Sequence, residues 1–117
     1  MKRLIPLAVA AAGCLFMQSA PAPAAGTTVS AFTTIAAFVP PVPVIHTTDT
    51  LQVTNLDILA HTLTSDALGP DGQPLFYANV AAGVGAIATL NTNPSPGTYG
   101  FHCTYHPWMK GVLEVVQ

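Results

Sequence analysis

The stretch Thr98-Tyr99-Gly100-Phe101-His102-Cys103-Thr104-Tyr105-His106-Pro107-Trp108-Met109-Lys110-Gly111 decides how this chain is read. Its first half alternates, so that in an extended strand Tyr99, Phe101 and Cys103 share one face and Gly100 and His102 share the other. Cys103 therefore points inward with the aromatic residues, and His102 does not. Pro107 fixes its own φ and removes a donor, which stiffens the chain just after His106. A strand that ends in such a turn wraps Cys103, His106 and Met109, spaced three residues apart, around a single point.

Those three side chains are a soft thiolate, an imidazole and a thioether, and a further histidine, His61, lies upstream. Two imidazoles and a thiolate in a trigonal set, with a weak axial thioether, form the donor set that holds one Cu(I)/Cu(II) ion for electron transfer. Structural zinc would need four firm ligands, and the Met109 thioether is a poor one. An iron–sulfur cluster would need several cysteines. The chain has two, Cys14 and Cys103, and Cys14 falls in what reads as a targeting segment. One thiol remains beyond that segment, which excludes an internal disulfide, a Cys-x-x-Cys motif and a dinuclear centre bridged by two cysteines. In isolation Cys103 would be core filler and Met109 ordinary packing. Their joint spacing with His106, and His61 on a strand before them, makes the metal site the better reading.

Around this stretch the apolar pattern is short, β-branched and punctuated, with no sustained helical period. Val29 to Val39 reads as one or two strands, and Pro40-Pro41-Val42-Pro43 as an edge or crossover. Further strands are expected at Thr50–Asn55, Ile58–Thr64, Leu75–Ala78, Ala86–Asn91, Thr98–Cys103 and Val112–Val116. Turn clusters at Gly69-Pro70-Asp71-Gly72 and Asn93-Pro94-Ser95-Pro96-Gly97 separate them. Seven or eight short strands at this spacing predict an all-β, two-sheet Greek-key sandwich, with a barrel as the alternative. His46 is read as a surface-loop residue without a metal role, and His102 likewise; Trp108 is either core or part of a docking surface.

Met1-Lys2-Arg3 followed by the uncharged run Leu4 to Met17 and the small-x-small site Ala22-Pro23-Ala24 reads as a secretory signal peptide over 1–24. The run is shorter than the roughly 20 residues of a membrane span. Cleavage there leaves one domain, 25–117, periplasmic or extracellular and without a transmembrane segment. The alternative uses Ala12-Gly13-Cys14 as a lipoprotein site and anchors the domain to a membrane through Cys14. In 25–117 a single Lys110 stands against four Asp and one Glu, a net charge of −4 with the histidines neutral. With no basic patch, nucleic acid is not expected as a partner.

Tyr99 to Gly111, together with Asn55-Leu56-Asp57 and His61-Thr62-Leu63-Thr64-Ser65-Asp66, resembles the small type I blue copper proteins, the cupredoxins. The short Cys-x-x-His-x-x-Met loop is most similar to amicyanin-like members, and the segment around His61 to plastocyanin-like ones; the resemblance covers roughly Pro40 to Gln117. It implies His61, Cys103 and His106 as equatorial ligands and Met109 as axial ligand, on a Greek-key sandwich that shuttles single electrons. The chain departs from the family at two positions. An Asn that ties the ligand-bearing segments together usually follows the first histidine, where this chain has Thr62; a hydroxyl there is expected to bond near Thr104. Amicyanin-like loops carry Pro where this chain has Tyr105, and Tyr105 is expected to offer a backbone N–H to the thiolate sulfur.

The function expected is one-electron transfer, with redox protein partners docking near His106 on a monomer. Redox docking interfaces are typically small. A cysteine–histidine nucleophile is not supported, because no oriented base or oxyanion site accompanies the pair, and four ligands would leave no open coordination position. No enzymatic activity is therefore expected. The alternative is a copper carrier or storage protein of the same fold, which hands over metal rather than electrons.

Overall fold

The computed structural model describes residues 26–117. The expected signal peptide and Cys14 lie outside them. Nine strands follow in order: β1 (Thr28–Thr33), β2 (Phe38–Val39), β3 (Val44–His46), β4 (Thr50–Asn55), β5 (His61–Ser65), β6 (Tyr77–Val80), β7 (Ile87–Thr89), β8 (Gly97–His102) and β9 (Lys110–Val116). They form two sheets, β2-β1-β4-β7 and β3-β9-β8-β5-β6. The architecture is the two-sheet sandwich, not the barrel. Among the described residues no helix is long and apolar enough to cross a membrane.

Period-two alternation is what closes the two sheets on each other. In β4, Leu51, Val53 and Asn55 are buried while the intervening residues are more open. Leu51 and Val53 share one core with Ile45, Leu63, Phe101, Leu113 and Val115 of the other sheet and with Phe76 just before β6. Phe38 packs edge to face on Phe101, with ring centroids 4.8 Å apart, so that β2 of one sheet is pinned to β8 of the other. The proline run after β2 is the crossover, as expected, and it lies along β9: the Pro41 and Pro43 carbonyls accept from the N–H groups of Val112 and Glu114.

Most strand bounds fall within two residues of the sequence reading, and two segments differ by more. β3 was not expected, and it pairs in parallel with β9 through Val44↔Glu114, Ile45↔Val115 and His46↔Val116. His46 is thus exposed, as expected, but it ends a strand. The strand expected from Ile58 begins only at His61, because residues 56–60 are held as a loop by the Asn55 side chain.

At the end of β9 remote from the 103–109 loop, Asp49 gathers the chain. Its Oδ1 accepts from the N–H (3.0 Å) and hydroxyl (3.2 Å) of Thr27, and its Oδ2 from the His46 N–H (2.7 Å). These bonds, the His46 N–H first, lower its pKa from 3.8 to about 2. The ionised form is favoured by folding, so the stability it contributes is present above pH 3.8 and is lost as the pH falls toward about 2. Asp49→Asn is expected to be less stable than the parent at neutral pH, with the difference closing across that window. Chemical denaturation of both proteins at a series of pH values checks this; a gap that stays constant down to pH 2 would refute it.

Candidate metal centre

The loop between β8 and β9 is closed at both ends by the backbone. Cys103 N–H donates to Met109 O (3.0 Å), and Met109 N–H donates to His106 O (2.8 Å). The antiparallel β8–β9 register reaches to His102↔Lys110, so the seven loop residues have little room and fold back on their own strand ends. β5 is the other neighbour of β8, paired through Thr64↔His102 and Ser65↔Phe101. That pairing brings the first residue of β5, His61, over the end of β8, where Cys103 follows.

The result is a cluster of His61, Cys103 and His106 whose donor atoms all lie within 4.8 Å of one another. His61 and Cys103 are fully buried, and His106 is half-buried. Cys103 Sγ lies 3.8 Å from His61 Nδ1 and 3.6 Å from His106 Nδ1. A trigonal centre with metal–nitrogen bonds of about 2.0 Å and a metal–sulfur bond of about 2.3 Å would set sulfur and nitrogen about 3.7 Å apart. The three side chains therefore fit a single metal ion at their centre. Met109, the expected axial donor, is buried in the core, with its backbone forming both closures of the loop.

Each imidazole also has a partner outside the cluster. His61 Nε2 lies 2.8 Å from Asp57 Oδ2, a contact that holds the Asp57 carboxyl below the usual carboxylate range. An ionised carboxylate only accepts, so Nε2 carries the proton and Nδ1 keeps its lone pair toward Cys103. Asp57 is in turn placed by the Ile58 N–H on Oδ1 (2.7 Å) and by its own N–H on Asn55 Oδ1 (2.8 Å). Asn55 completes the support by donating to Leu59 O (2.8 Å) and Ala81 O (3.0 Å). The His106 ring lies 4.9 Å from that of His61 and 5.2 Å from that of Trp108. Trp108 is 64% exposed, which excludes the core reading.

The sulfur accepts a hydrogen bond from Thr62 N–H at 3.4 Å. The tie expected at Thr62 is present, since Thr62 Oγ1 accepts from Thr104 N–H at 2.8 Å and contacts Thr104 Oγ1 at 3.0 Å. Tyr105 behaves otherwise. Among the described residues the backbone donor to Sγ is Thr62, and Tyr105 N–H makes no such bond; its side chain is exposed to solvent. His46 and His102 lie outside the cluster and pair with Asp49 and Asp66.

Asp57 and Asn55 are the site residues that the sequence reading did not assign. A usable signal was there in Asp57-x-x-x-His61, a carboxylate within one loop of a ligand histidine. Asn55 entered that reading as the end of a strand and as part of the resembling segment, with no role of its own.

No family profile and no curated protein matches the chain. Solved structures do. A Cu(I) form of an amicyanin variant is 22% identical, with a TM-score of 0.61, over 80% of this chain and 87% of that one. An oxidised amicyanin variant is 22% identical, with a TM-score of 0.60, over 76% and 82%. A purple cupredoxin from Nitrosopumilus maritimus is 21% identical, with a TM-score of 0.56, over 75% and 99%. At these identities the likeness establishes the fold, which is the cupredoxin β-sandwich.

Proposed function

We propose that this chain is an exported type I copper protein that carries single electrons between redox partners, with His61, Cys103 and His106 as equatorial ligands and Met109 as the axial one. The observation that carries the reading is the disposition of Cys103 Sγ and two imidazole Nδ1 atoms at 3.6 and 3.8 Å, the separations a trigonal metal centre requires. Bound copper would supply a one-electron Cu(I)/Cu(II) couple at this position.

The protein's own part is to keep the donors still. Asp57 fixes the tautomer of His61, the closed loop fixes Cys103 and His106, and Thr62 N–H takes electron density from the sulfur. Donors that need not move between oxidation states reorganise little when an electron arrives or leaves. Half-buried His106 is the edge through which the electron passes. Exposed apolar residues stand on both histidine-bearing segments, Leu56, Ile58 and Leu59 before His61 and Tyr105 and Trp108 beside His106. Such a surface suits brief docking of a redox protein.

The test is the absorption spectrum of the purified, copper-loaded protein. An intense thiolate-to-copper band near ~600 nm that is bleached by reduction and returns on reoxidation is the expected result. A colourless copper complex would overturn the reading. Copper lost on reduction would point instead to the carrier function.

A further inference from the structure

Four loops close the end of the sandwich that carries the metal cluster. β1, β4, β6 and β8 finish there, and the loops 34–37, 56–60, 81–86 and 103–109 lead back into β2, β5, β7 and β9. Each loop holds a large apolar side chain out in solvent: Ile35 (66% exposed), Ile58 (74%), Val84 (69%) and Trp108 (64%). Asp57 is the one Asp, Glu, Lys or Arg in these loops, and it is buried against His61. The other acidic groups lie away from this end. Asp66 and Asp71 follow the far end of β5, Asp49 precedes β4, and Glu114 is in the far half of β9. Lys110 opens β9 beside this end.

The loop tips are closed on themselves. Thr34 N–H donates to Ala37 O (2.9 Å), and Thr34 Oγ1 accepts from the N–H groups of Ala36 (3.3 Å) and Ala37 (3.1 Å). Leu56 N–H donates to Thr33 O (2.8 Å) and Ile58 N–H to Asp57 Oδ1 (2.7 Å). Val84 stands between Gly83 and Gly85, whose φ values of 114° and 94° favour glycine, and the next turn is tied by Gly85 N–H to Asn55 O (2.7 Å) and Ala86 N–H to Gly83 O (3.2 Å). A surface that meets another protein can leave such groups to its partner. Lipid offers no partners, so only loops whose amides are met internally can be lowered toward it. Trp108 and Tyr105, both exposed on one loop, are the amphipathic rings that settle at headgroup level, and the Lys110 stem can carry its charge to lipid phosphate.

We propose that this end of the molecule is a membrane-contact surface, whose tips Ile35, Ile58, Val84 and Trp108 enter the headgroup layer of a lipid bilayer. The contact itself does not depend on the metal. On the copper reading above, it brings the His106 edge to redox proteins held in the same bilayer.

Trp108 is the sole tryptophan, so its emission reports on this end alone. Metal-free protein mixed with phosphatidylcholine vesicles is expected to sediment with them and to show blue-shifted emission. Binding should persist at salt concentrations that screen surface charge, because burial of apolar tips drives it. Val84→Asp and Ile35→Asp are each expected to weaken partitioning at least about tenfold, the factor carried by burying one aliphatic side chain. Leu68→Asp alters a similarly exposed residue past the far end of β5 and should leave partitioning unchanged. Emission unmoved by vesicles overturns the proposal and leaves the surface to a protein partner. Equal losses in Leu68→Asp and Val84→Asp overturn it as general stickiness, and a blue shift that grows with protein concentration without vesicles overturns it in favour of a second copy. No step uses copper, so a parent without a thiolate–copper band would defeat the function proposed above and leave this result standing.

Discussion

If the proposed copper site is right, Cys103→Ser is expected to erase the visible colour of the copper-loaded protein and to lower its Cu(I) affinity by more than the 10- to 100-fold that loss of an outer partner typically costs. The band arises from a thiolate, and a serine hydroxyl is a hard donor that stays protonated at neutral pH, so neither the charge transfer nor the preference for Cu(I) survives. The effect is chemical more than structural. Cys103 is fully buried, and Ser is nearly isosteric, with a hydroxyl that can still accept from Thr62 N–H. The variant should therefore fold and retain two imidazoles for weak, colourless binding of Cu(II). Absorption spectra and competition titrations with a Cu(I) chelator check both parts. A variant that keeps the intense band would show that Cys103 is not the ligand.

That expectation was legible in the sequence because the features behind it are local. Alternation up to Cys103 and the three-residue steps to His106 and Met109 need only strand geometry and a turn. The same holds for β4, whose bounds match the expected Thr50–Asn55. Features that depend on distant partners were not legible. β3 has three residues between Pro43 and a turn, too few for a pattern, and exists because the end of β9 offers it a parallel edge. Ile58 and Leu59 look like strand residues, yet they are 74% and 45% exposed, because Asn55 ties Leu59 O to the segment at Ala81 and holds a loop open there. Thr62 was legible as a departure from a pattern. That Thr64 Oγ1 would contact both Thr62 Oγ1 and Thr104 Oγ1 follows only from the β5–β8 register.

With His61 as the proposed ligand, Asp57→Asn is expected to lower Cu(II) affinity about 10- to 100-fold, to lower Cu(I) affinity less, and so to raise the reduction potential. Asp57 satisfies two donors, the Ile58 N–H on Oδ1 and the His61 Nε2–H on Oδ2. Asn is the same size but has one acceptor oxygen, so one of the two donors must lose its bond. If His61 keeps the oxygen, it exchanges a carboxylate for a neutral amide; if it loses the oxygen, its tautomer is no longer fixed. Either way the imidazole becomes a weaker base, and the buried negative charge near the metal is gone. Both changes act against the more highly charged oxidation state, which gives the potential its sign. Titrations in the two oxidation states and voltammetry measure the effect. Asp57 has a second possible role, as a staple for the 56–60 loop through Ile58, and the same variant separates the two. A pure staple would cost thermal stability in the metal-free protein and leave the Cu(I)/Cu(II) affinity ratio where it was. A rise in that ratio means that the carboxylate acts on the metal through His61.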